Sequence, residues 1–98
     1  MQKMRYFIDT HDKANETFPD GITKEQLAEF YKSYEQACKE EGVISVRIDV
    51  GLEKGRAFCM NIAPTEEAVF NVHQKVGLPY DSITEIQSIS QFDLLFNK

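Results

Sequence analysis

The chain has no tryptophan, three prolines, two cysteines and two histidines in 98 residues. Cys38 and Cys59 stand far apart with no CxxC pairing, which excludes a zinc ribbon and a thioredoxin motif. They read as free, reduced thiols packed as small apolar groups. No apolar run approaches the roughly 18–20 residues of a membrane span, and Met1 to Arg5 lacks the basic-then-apolar order of a signal peptide. The expected location is the cytoplasm. Basic residues are in short supply, 11 against 16 acidic, and the net charge of −5 repels phosphate, so neither nucleic acid nor an anionic membrane is an expected partner. Nucleophile motifs with a base at known spacing are missing too. Gly51-Leu52-Glu53-Lys54-Gly55 has two glycines but no helix start after it, so it reads as a hairpin connection rather than a phosphate loop. These absences lean against an enzyme.

What is present is the pattern of one domain covering residues 1–98, a length that buries roughly 60–65% of the unfolded surface around a single core. Met4 to Thr10 alternates with period two and reads as a strand on which Phe7, Asp9 and His11 share a face. Pro19-Asp20-Gly21 is turn chemistry. Thr23 with Gln26 forms a capping box, and Leu27, Phe30, Tyr31, Tyr34, Ala37 and Cys38 recur at three- and four-residue spacing, so a helix runs from Thr23 to Gly42. Val43 to Val50 alternates again, with Ile44, Val46, Ile48 and Val50 expected inward. Arg56 to Ile62 is a third strand. Thr65 caps a second helix with Val69, Val72, His73 and Val76 on its apolar stripe, stopped by Gly77 and Pro79, and Ser82 to Ile89 is a fourth strand. Residues 90–98 form an apolar tail.

The order βαββαβ predicts an α+β, ferredoxin-like domain: a four-stranded antiparallel sheet with two helices on one face. The other face is then open. Placing Phe7 there, beside Arg5 and Asp9, with the apolar tail at hand, implies that a second copy covers it, so a homodimer of the dimeric α+β barrel type is expected.

Imidazole suits nickel, zinc and copper, which makes His11 and His73 the candidates for metal chemistry, with help from Asp9, Cys59, a glutamate or the same residues of a second subunit. The bland alternatives are that His73 is a satisfied core histidine, His11 a loop residue, Cys59 plain packing, and Tyr31 and Tyr34 core aromatics. His73 sits eight residues into the second helix, about 12 Å along its axis, while His11 ends the first strand. Taken to start from the same end of the sheet, the two would meet only through loop bending or a dimer.

Phe7-Ile8-Asp9-Thr10-His11, Ala28-Glu29, Gly42-Val43, Gly55-Arg56-Ala57-Phe58-Cys59, Ala63-Pro64, Glu67-Ala68 and Val72-His73 with Gly77-Leu78 together resemble a bacterial family of small nickel-binding ferredoxin-like proteins. The resemblance runs nearly to Ile89. It implies a dimer that binds or handles nickel, not a known enzyme, and carries a metal role onto Asp9, His11, Cys59 and His73. Tyr31 stands where the family often has a histidine, a second histidine after Val72-His73 is missing, and the Asp12 to Pro19 loop is longer than the family's. The other readings are a dimeric α+β barrel enzyme or carrier that holds a small organic molecule near Tyr31, Tyr34, Cys59 and His73, and a partner-binding module.

Overall fold

A computed structural model describes residues 3–87 and 89. Strand β1 (Arg5–Asp12) is followed by a 3-10 turn (Lys13–Asn15), helix α1 (Lys24–Glu40), strands β2 (Ile44–Gly51) and β3 (Arg56–Ala63), helix α2 (Glu66–Val76) and strand β4 (Ser82–Ile86). All pairings are antiparallel, in the order β2-β3-β1-β4, so β1 and β3 are the central strands of a ferredoxin-like sheet. The 90–98 tail lies outside the described residues. No helix among those described is long and apolar enough to cross a membrane.

Both helix starts follow from their caps. The Thr23 hydroxyl accepts from the Gln26 amide at 3.1 Å while the Gln26 side chain accepts from the Thr23 amide at 2.9 Å, closing the capping box. Thr65 accepts from the Ala68 amide at 3.1 Å. Gly77, at φ 66°, ends α2 in the left-handed conformation that costs glycine no Cβ clash. Tyr34, Ala37 and Cys38 of α1 and Ala68, Val69 and Val72 of α2 pack with Phe7 and Ala63 of the sheet as the apolar core.

Two sequence expectations are corrected. Phe7, Asp9 and His11 do share a face, but it is the helix-covered one, with Phe7 1% and Asp9 0% exposed. Strand alternation sets which residues go together and leaves open which set goes inside. The more polar set is buried because its members satisfy one another, and the open face carries Tyr6, Ile8 and Thr10, with Phe58, Met60 and Ile62 beside them. The second correction concerns β2. A bulge between Ser45 and Arg47 shifts the register against β3, so Ser45 turns toward α1, where its hydroxyl lies 2.6 Å from the Tyr31 hydroxyl. Ile44 and Val46, expected inward, are exposed.

Candidate metal centre

The residues Asp9, His11 and His73 meet in the core, between the central strands and α2. Their ligand atoms all lie within 4.8 Å of one another and all three residues are buried. Antiparallel pairing explains how one subunit achieves this. Because Arg5 lies opposite Ala63, α2 sets out from the beginning of β1, not from its end. About 12 Å of helix to His73 then matches the ~13 Å of strand from Arg5 to Asp9. The two histidines need neither a loop bend nor a second copy.

Asp9 is the hub. Its Oδ1 lies 2.6 Å from Nε2 of His11 and 3.1 Å from Nε2 of His73, and its Oδ2 accepts from the Asn61 amide at 2.8 Å. The Tyr34 hydroxyl donates to Oδ1 of Asn61 at 3.0 Å, which orients that amide. Each histidine is also held from behind. Nδ1 of His11 donates to the carbonyls of Pro79 at 2.7 Å and Thr17 at 3.2 Å, and Nδ1 of His73 donates to the carbonyl of Val69 at 2.8 Å. The two rings stack with centroids 5.7 Å apart, and Tyr34 and Tyr80 present their rings edgewise to His73.

Carbonyl oxygens only accept, so both Nδ1 atoms carry hydrogen and both Nε2 atoms are left to face the carboxylate. An Nε2 lone pair against a carboxylate oxygen is repulsive. The cluster therefore demands positive charge at its centre, supplied either by a second proton on a ring or by a cation. In the metal-free state the proton serves. Burial opposes charge on His11, yet its hydrogen bond and attraction to Asp9 hold its pKa above the ordinary histidine value. Burial likewise opposes charge on Asp9, but the hydrogen bonds from His11 and His73 keep its carboxyl below the usual carboxylate range.

The same atoms fit a metal. Two Nε2 lone pairs and one carboxylate oxygen, with each Nδ1–H anchored on a backbone carbonyl, form the donor set and outer support of a two-histidine, one-carboxylate site. The 3.1 Å between Nε2 of His73 and Oδ1 is about the spacing of two ligands at right angles on ~2.1 Å bonds.

Cys59 is outside this convergence. It lies opposite Asp9 in the β1–β3 register, and burial, then the Asp9 charge, pushes its thiol pKa up, so it is a neutral neighbour of the carboxylate. Burial also raises Tyr34, which keeps its proton for Asn61. Tyr31 stacks on Tyr34 at 6.1 Å but spends its hydroxyl on Ser45, away from Asp9. Asn61 is a member of the cluster that sequence motifs do not single out, although it follows Cys59 by two residues and so shares its inward face. A polar residue at an inward strand position was the available signal. The carbonyls of Thr17, Val69 and Pro79 leave no mark in side-chain identity.

A family described as nickel responsive protein SCO4226-like matches residues 7–86. Among solved structures, the crystal structure of SCO4226 from Streptomyces coelicolor A3(2) superposes with a TM-score of 0.74 at 27% identity, covering 87% of this chain and 99% of that one. No curated protein matches.

Proposed function

Given that the chain belongs to the SCO4226-like family of nickel responsive proteins, we propose that it binds a divalent transition metal, nickel first, at Asp9, His11 and His73. The observation that carries this reading is the commitment of both Nδ1 atoms to backbone carbonyls, which leaves two Nε2 atoms aimed at one carboxylate oxygen. That arrangement needs positive charge at its centre, and a bound metal would supply it in place of the proton that the metal-free cluster holds. Two histidines and a carboxylate also suit iron(II), but at a given nitrogen and oxygen site nickel is the tighter ion in the general affinity order. Cys59 is close enough to tune the carboxylate and is the fourth residue of interest.

Calorimetric titration of the metal-free protein with nickel tests the proposal. One site per chain is expected, lost in His11→Ala and in His73→Ala and retained in Tyr31→Phe, whose hydroxyl is turned to Ser45. Equal binding by wild type and the double His→Ala variant would falsify it.

We also propose a homodimer formed through the open sheet face, where Tyr6 is 48% and Ile44 56% exposed beside Ile62. Apolar side chains on a sheet face are hidden when a second copy covers them. Light scattering at tens of micromolar should give twice the chain mass for the wild type and the chain mass for Tyr6→Glu. A wild-type monomer would contradict the proposal.

A further inference from the structure

Beside His11, on the side away from α2, lies a pocket of about 110 Å³ walled by Phe18, Ile22, Leu27, Phe30, Ile48 and Ala57. The loop that leads from Asp12 to the Thr23 cap supplies its roof through Phe18 and Ile22. Its two polar neighbours, His11 and Cys59, offer nothing to a polar guest. Both ring nitrogens of His11 are spent on Asp9, Pro79 and Thr17, and the Cys59 proton is held by burial and the Asp9 charge. A water molecule needs two to four polar partners, so the pocket favours hydrocarbon over water. At ~30 Å³ per small group it holds about four methylene-sized units.

The pocket does not stand alone. Leu27 and Ile48 are also in the wall of a larger groove, about 630 Å³, that runs between α1 and the edge strand β2 over Ala28, Tyr31, Val46 and Val50. The ionisable groups along that groove, Tyr31 aside, are Lys24 and Arg47, both cationic, in a chain whose net charge is −5. An acidic protein whose charged lining residues beside an apolar groove are both cations favours an anionic head on a hydrocarbon body. We propose that pocket and groove together bind a medium-chain aliphatic monocarboxylate, its tail end in the pocket beside His11 and its carboxylate at Lys24 and Arg47. Arg47 has Asp49 at 2.9 Å, an exposed pair that solvent already weakens, so its guanidinium is free to turn to a second anion. The tail would lie against His11, which lines the pocket, while the head group touches none of the three residues of the nickel reading.

Octanoate titrated into the metal-free protein, followed by methyl NMR, tests it. Saturable shifts are expected at the methyls of Leu27, Ile48 and Leu78. Lys24→Glu with Arg47→Glu should weaken binding about tenfold by removing the charge match. Ala57→Leu should weaken it as much by filling the pocket, and because extra volume against β3 can disturb folding, Ile22→Phe fills the same space from the loop. Absence of saturable binding overturns the proposal, as does binding that survives the charge reversal, or Ile22→Phe, unchanged. Nickel titration of the same variants reads the metal site independently, so failure here leaves that reading intact and loss of nickel alone leaves this one.

Discussion

Nickel affinity is expected to rise about tenfold for each pH unit between pH 5.5 and 6.5, and to level off only above the ordinary histidine pKa of about 6.5. The metal takes neutral imidazole, and His11 holds its proton more tightly than a free histidine because Asp9 faces its Nε2 at 2.6 Å. Asp9, lowered below the usual carboxylate range, stays ionised throughout and adds no slope. Calorimetry in buffers of different ionisation enthalpy should count the released proton directly. An affinity that is flat from pH 5.5 to 7.5, or that levels below pH 6, would contradict the protonated cluster. The metal-free fold should show the opposite trend at the alkaline side. A raised His11 contributes stability that is fully present below about pH 6.5 and is lost as pH climbs through its folded pKa. A lowered Asp9 contributes above about pH 3.8 and is lost as pH falls through its folded value. Metal-free stability should therefore peak between roughly pH 4 and 6.5, and nickel should restore what is lost above that window.

Replacing Asp9 by alanine should lower the unfolding free energy of the metal-free protein at pH 6 by about 3–5 kcal/mol, the cost of removing one partner from a buried charged cluster. Three groups lose the carboxylate they face at once: Nε2 of His11, Nε2 of His73 and the Asn61 amide. All sit where water cannot replace it, at 3% exposure or less. Asp9→Asn, which keeps the shape and one oxygen, should fall between wild type and Asp9→Ala. Urea unfolding measures both. A loss below about 1 kcal/mol for Asp9→Ala would mean that the carboxylate does not hold the cluster together. The two experiments separate roles that the geometry joins: the first reads what the cluster does with a proton and a metal, the second what it does for the fold.

Capping residues, helix stripes and strand alternation were legible because they are local, set by spacing along the chain. Thr23 with Gln26, Thr65, and the Gly77-Pro79 stop define the helices without reference to anything distant. The same spacing gave His73 an inward direction, and the structure buries it completely. Residue types alone also nominated His11 and His73, since imidazole is an ordinary metal donor and this chain holds only two histidines, but they left the further ligand open among Asp9, Cys59, a glutamate and a second copy.

Which face of β1 goes inside was decided in three dimensions, because a period of two is blind to its own phase, and Asp9 and His11 are tolerable in a core only once His73 and Asn61 arrive from elsewhere. The bulge in β2 was equally hidden. It depends on pairing with β3 and on the reach of the Tyr31 hydroxyl to Ser45. The meeting of the two histidines rests on chain direction: antiparallel pairing makes α2 start level with Arg5 and run toward Asp9, a relation between elements that no single segment records. The backbone carbonyls that fix both rings belong to Thr17, Val69 and Pro79, whose side chains have no part in the contact. Sequence thus determined the elements and the donors, and tertiary structure decided their convergence, because a hydrogen bond across 64 residues is a property of the packing rather than of either residue.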